Sequence, residues 1–281
     1  MGKYLILDKS VFEATSTSKL ENFANNHFLI LSDDLYYECA TTTSNKEKML
    51  DRFRSVILSG AYFCTSCKEI VKKEAQILQP YGFLVDLKEV PALRKTFQKN
   101  SRPYNPDQAQ KKLEEELDMA QRIINNADGF TQQLLRDDPE LLKEARMCDN
   151  SNSIRLERLQ KWTEFVDTQN MHESAQVWLN DITEQPEKFC LSDKWVTWHF
   201  LRLIHILLQE RTFLRQSGDN SSAYIIEHDL QDIKYILLLS RTDGLLTKDK
   251  GCSSLAKAAF PDKDVFSSLD EVPNEYLCNW D

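Results

Sequence analysis

Lys3-Tyr4-Leu5-Ile6-Leu7-Asp8 sets an apolar, β-favouring run directly before a carboxylate, and a second run, His27-Phe28-Leu29-Ile30-Leu31, follows some twenty residues on. Between them Leu20, Phe23 and Ala24 recur at helical spacing. After the second run comes Ser32-Asp33-Asp34-Leu35-Tyr36-Tyr37-Glu38, in which Ser32 suits a helix cap and the acidic residues suit a first turn. Strand, helix, strand, helix is the rhythm of a parallel sheet. Phe83-Leu84-Val85-Asp86-Leu87 is a candidate for a further strand.

The rhythm stops near residue 95 and returns near 217. From 96 to 216 the pattern is helical throughout: Leu113, Leu117, Ala120, Ile124 and Ala127 share a face, as do Ile154, Leu159, Trp162 and Val166. Breaks at Pro103, Pro106, Gly129, Pro139, Asp149 to Ser153 and Pro186 divide this zone into about five helices. After the loop Gly218-Asp219-Asn220-Ser221-Ser222, Asp229 to Leu239 reads as a mostly buried helix. Gly244-Leu245-Leu246-Thr247-Lys248-Asp249 then reads as a short buried strand ending at a carboxylate. The expectation is an α/β fold: residues 1–95 and 217–281 form one domain with a central parallel sheet flanked by helices, and 96–216 form a large all-helical insertion. The acidic tail from Asp262 carries Tyr276, Leu277 and Trp280, which would pack against it.

Composition narrows the class. The 281 residues are 41% hydrophobic and 28% charged, ordinary for a packed globular chain. No apolar run approaches the length of a membrane span or a signal peptide, so a cytoplasmic protein without membrane attachment is expected. Seven cysteines without an export signal read as reduced thiols. Cys64 and Cys67 form a lone CxxC lacking the further ligands of a Zn site, and read as helix cysteines. A net charge of −9 argues against broad, nonspecific attraction to nucleic acid, although a carboxylate cluster built for cations would add to it.

In open parallel sheets, function collects outside the carboxyl ends of the strands. Asp8 and Asp249 each close a strand, so a shared sheet brings both to one edge. Glu38 and Asp232, placed in early turns of flanking helices, could join them. Four carboxylates repel one another unless a cation intervenes, and oxygen-only ligation suits Mg²⁺ or Mn²⁺, which also accept phosphate oxygens. That combination points to phosphodiester hydrolysis by a metal-activated water.

At these residues the chain resembles the PIN-domain nucleases. Leu5-Ile6-Leu7-Asp8-Lys9-Ser10-Val11-Phe12 is similar to the family's first strand and metal-binding aspartate, in the subgroup that reads Asp-Lys-Ser. Phe28 to Ser32 with Leu35, Glu38 and Cys39 is similar to its second strand and acidic helix. Asp232 to Leu239 and Asp243 to Lys250 resemble its closing helix and T-x-D strand end. The resemblance covers roughly 1–95 and 217–281. It implies a PIN-like fold and a Mg²⁺- or Mn²⁺-dependent ribonuclease with Asp8, Glu38, Asp232 and Asp249 as catalytic metal ligands, Ser10 and Thr247 as hydroxyls beside them, and RNA as substrate.

Competing readings stand beside each residue. Asp34 is the substitute for Glu38, and Asp229, one turn before Asp232, is a second candidate ligand or a supporting group. Asp243 reads as a turn residue before Gly244. His199 and His205, six apart, do not share a helix face as a metal pair would. Arg202, His205 and Gln209 form one stripe and Arg211 and Arg215 another, more suited to a solvated face than to phosphate contact. Trp195 and Trp198 read as helix core. A different functional class also fits: a catalytically inactive PIN-like module whose helical insertion binds a protein or nucleic-acid partner.

Overall fold

Residues buried on both faces of a sheet need no polar alternation, and the three central strands have none. Leu5, Ile6, Leu7, Leu29, Leu31, Leu245 and Leu246 are all fully buried. In the computed structural model, which describes residues 2–42, 44–82, 84–85, 90–98, 111, 152–168, 192–216 and 223–278, five strands make one all-parallel sheet. They are β1 (Tyr4–Leu7), β2 (Phe28–Ser32), β3 (Tyr62–Cys64), β4 (Gly244–Leu246) and β5 (Asp264–Phe266), in the order β3-β2-β1-β4-β5. The chain winds outward from β1 to β3 in one direction and from β4 to β5 in the other. The switch therefore falls between β1 and β4, where Leu5, Ile6 and Leu7 pair with Gly244, Leu245 and Leu246.

The helices are α1 (Lys9–Ala14), α2 (Thr17–Asn26), α3 (Asp33–Thr41), α4 (Lys46–Leu58), α5 (Cys67–Ile77), α6 (Val90–Gln98), α7 (Asn152–Thr168), α8 (Val196–Gln216), α9 (Ala223–Leu239) and α10 (Lys250–Ala259). Local chemistry sets several boundaries. Ser32 caps α3 by accepting from the Leu35 amide, and Ser66 caps α5 by accepting from that of Glu69. Glycine is required at 244, where a Cβ would meet a Leu5 methyl at 2.8 Å and the Tyr276 hydroxyl at 3.1 Å.

Four expectations change. Of Phe83 to Leu87, only Leu84 and Val85 are described, and they form a buried bend; the third strand is Tyr62–Cys64, too short to show periodicity. The helix read from Asp229 begins at Ala223, so Asp232 lies mid-helix rather than in an early turn. The tail adds β5 and buries Tyr276, whose hydroxyl donates to Asp264 at 2.7 Å. Cys64 ends β3 while Cys67 opens α5, and burial pushes the Cys64 thiol well up, as suits an inert core residue.

The described helices of the intervening segment belong to the same hydrophobic core as the sheet. α7 packs along α10 and α8, and α8 packs on α5 and α9. Glu74 joins the two parts. It lies on α5, is fully buried, and accepts from the Val196 and Thr197 amides at 3.0 and 2.7 Å and from the Thr197 hydroxyl at 2.7 Å. A carboxylate from one helix thus caps the amino terminus of another 122 residues later. The face read at Leu113 to Ala127 lies outside the described residues.

Candidate functional site

The crevice between the ends of β1 and β4 is built around Asp8. The Asp8 amide donates to the Leu246 carbonyl at 3.0 Å, locking the first residue beyond β1 to the end of β4. Asp8 as a whole is 5% exposed, and one carboxylate oxygen accepts from the Ser10 hydroxyl at 2.5 Å and the Thr247 hydroxyl at 2.7 Å. Those hydroxyls are themselves oriented. Ser10 accepts from the Lys248 amide at 2.8 Å and Thr247 from the Asp249 amide at 3.1 Å. Burial raises the Asp8 pKa, while the two hydroxyls act in the opposite sense.

Asp249 sits at the exposed rim as the cap of α10, one oxygen accepting from the Cys252 amide at 2.9 Å. Glu38 enters from α3. Its carboxylate accepts from the Tyr235 hydroxyl at 2.7 Å and faces Lys9 at 3.9 Å. Burial pushes its pKa to about 7, opposed by the Tyr235 hydrogen bond and by Lys9, with Asp8 adding to the rise. Asp232 comes from the middle of α9 and makes no hydrogen bond or ion pair among the described residues. Its pKa is raised well above the ordinary range by burial and then by the charges of Asp249, Asp8, Asp229 and Glu38. The other three sequence candidates are therefore all within electrostatic reach of this one side chain.

The alternatives separate by what they touch. Asp34 accepts from the Cys67 amide at 3.2 Å and lies 3.8 Å from Lys234, which makes it a brace for α5. Asp229 is buried and ion-paired with Arg211. Asp243 accepts from the Tyr4 amide at 2.8 Å, consistent with a turn residue. The Arg202 stripe is not a solvated face: Gln209 is 2% exposed, and Arg202 grips Asp167 with two bonds of 2.6 and 2.7 Å and also donates to the Ala259 carbonyl. Trp195 and Trp198 are core residues, and burial lowers the pKa of both His199 and His205.

Four contributors carried no signal in the sequence. Tyr235 looked like one more apolar helix position, yet its hydroxyl holds Glu38. Arg158 and Glu210 form a buried pair, and Arg155 lies beside Gly251 at the start of α10; nothing local marks residues so distant in the chain as neighbours.

Among the described residues, no group of three or more His, Cys, Asp and Glu side chains forms a ready-made cage for a metal ion. The donor set nonetheless fits a hard cation. It is all oxygen, it accumulates negative charge in a partly desolvated crevice, and among the described residues Asp232 has no cationic or hydrogen-bonding partner to offset that charge. No family model, curated protein or solved structure matches the chain. Among the described residues no helix is long and apolar enough to cross a membrane.

Proposed function

We propose that this chain is a PIN-like, metal-dependent endonuclease that hydrolyses phosphodiester bonds, with RNA as the substrate class implied by the sequence resemblance. One observation carries the reading: at the switch point of a parallel sheet, Asp8, Glu38 and Asp249, from three separate elements, act electrostatically on Asp232, which has no hydrogen-bond or ion-pair partner among the described residues. The residues that would hold Mg²⁺ or Mn²⁺ are Asp8, Glu38, Asp232 and Asp249. When bound, the cation would supply a nucleophilic water and neutralise charge on the phosphate.

The protein's own groups prepare that chemistry. Ser10 and Thr247 fix the rotation of the Asp8 carboxylate, and Tyr235 fixes that of Glu38, so two oxygens are positioned before any ligand arrives. The raised pKa values of Asp8, Glu38 and Asp232 mean that protons compete with cations for these oxygens. Lys9, Lys248 and Lys250 lie around the crevice and can draw an anionic chain towards an otherwise acidic surface.

The second reading, an inactive PIN-like binding module, is favoured by the net charge of −9, which works against free attraction to nucleic acid. A cleavage assay decides between them. Purified protein with Mn²⁺ should cut single-stranded RNA, and Asp8→Asn, Asp232→Asn and Asp249→Asn should each lower the rate by at least about 10²-fold. Equal rates in wild type and all three variants would refute the assignment.

A further inference from the structure

Three arginines, Arg155 and Arg158 on α7 and Arg211 on α8, gather beside the crevice, and their partners are unequally shared. Arg158 forks onto Glu210 with bonds of 2.7 and 2.5 Å, and the Trp162 indole donates to the same carboxylate at 3.2 Å. Arg211 is committed to Asp229. Arg155 is left over. Its Nε is 3.8 Å from a Glu210 oxygen already taken by Arg158, and its guanidinium makes no hydrogen bond among the described residues. Its side chain is 30% exposed, against 8% for that of Arg158 and 12% for that of Arg211, so it alone of the three is open to a ligand.

Its position gives this surplus a meaning. A Cβ built on Gly251 would stand 3.0 Å from Arg155 Nη1 and 3.0 Å from Asp249 Oδ1, so the guanidinium and the rim carboxylate flank the same glycine in the first turn of α10. Arg155 also acts electrostatically on Asp229, itself coupled to Asp232. Glycine at 251 leaves room for both groups. A cation with free donors beside a carboxylate cluster, at a helix amino terminus, is placed for an anion that must approach those carboxylates.

We propose that Arg155 is a phosphate-binding residue of the crevice, reaching it from the intervening helical segment to hold a backbone phosphate of a nucleic-acid strand. This assignment rests on the nuclease reading for the identity of the anion. A guanidinium presents paired donors that match two phosphate oxygens, which an ammonium cannot do in the same geometry. The helical segment then contributes to substrate recognition through a named side chain.

The test is fluorescence anisotropy with a short labelled single-stranded RNA and the full chain, in Ca²⁺, across a salt series. Arg155→Gln should weaken binding about tenfold and reduce the slope of log affinity against log salt by about 0.7, the loss of one phosphate contact on a single strand. Arg155→Lys should recover the slope but only part of the affinity. Independently of any variant, phenylglyoxal labelling of the wild-type protein read by peptide mass spectrometry should find Arg155 protected by the RNA. Unchanged affinity and slope in Arg155→Gln, absence of protection, or no RNA binding by the wild type would each overturn the proposal. Cleavage in Mn²⁺ is scored separately. Arg155-dependent binding without cleavage keeps the phosphate contact and removes the nuclease reading, whereas cleavage lost in Asp249→Asn beside an unaffected Arg155→Gln does the reverse.

Discussion

Replacing Asp232 by Asn should make the metal-free protein more stable and the metal-loaded protein less so. The amide keeps the shape of the side chain and removes a charge that has no partner among the described residues and faces four other carboxylates. Folding of the wild type at neutral pH must either hold that charge against burial and repulsion or take up a proton, and both carry a cost that the amide does not. Relief of active-site strain of this kind is typically worth about 0.5–2 kcal/mol. For a chain of this size each kcal/mol moves the melting temperature by about 2–4 °C, so Asp232→Asn in EDTA should melt a few degrees above wild type. Mn²⁺ at a hundredfold excess over its dissociation constant should stabilise wild type by about 2.7 kcal/mol and the variant far less, inverting the order. Differential scanning fluorimetry with and without Mn²⁺ reads both effects. Asp8→Asn is the contrast: its carboxylate accepts from two hydroxyls, so the variant should lose about 1 kcal/mol in EDTA rather than gain. If Asp232→Asn melts lower in EDTA, or keeps the full Mn²⁺ shift, the electrostatic account of this crevice is wrong.

Three further outcomes follow from the same geometry. Glu38 has a pKa of about 7 in the folded protein against an ordinary 4.5, so between those values the folded state binds the extra proton and stability falls as pH rises. Urea denaturation in EDTA at pH 5 and pH 7.5 should show wild type losing about 2 kcal/mol more than Glu38→Gln; parallel losses would contradict the assignment. Glu74→Ala strands the Val196, Thr197 and Tyr81 amides that it now satisfies and should cost about 3–5 kcal/mol, with Glu74→Gln intermediate; a cost under about 1 kcal/mol would show that α8 does not depend on this cap. Gly251→Ala presses a methyl on Arg155 and Asp249 and should lower RNA binding and cleavage while the melting temperature holds or rises, because alanine outranks glycine in a helix; a fall of several degrees would mean that strain spreads beyond those two side chains.

Apolar runs that end at carboxylates were legible in the chain because a strand buried on both faces must be continuously apolar and its first polar residue marks the edge. Asp8 and the segment from Gly244 to Asp249 announce themselves this way, and Ser32 announces the helix that carries Glu38. β3 and β5, at three residues each, are too short for any periodicity to register, and only pairing to a neighbour makes them strands. α9 starts at Ala223, six residues before Asp229, because its first turn carries no acidic residue to mark it, and this puts Asp232 in mid-helix rather than in an early turn.

What sequence by itself determined is the identity and order of the acidic groups and the parallel-sheet rhythm that carries them, since these depend on local alternation, capping and burial. What only the tertiary structure decided is which side chains answer those groups: Tyr235 on Glu38, Ser10 and Thr247 on Asp8, Glu74 beneath α8, and Arg155 beside Asp249. Ser10 reaches Asp8 within a single turn, but most of the other partners are brought together from dozens to hundreds of residues away. Such pairings follow from how helices pack on the sheet, and a hydroxyl or guanidinium carries no local mark of the carboxylate it will meet.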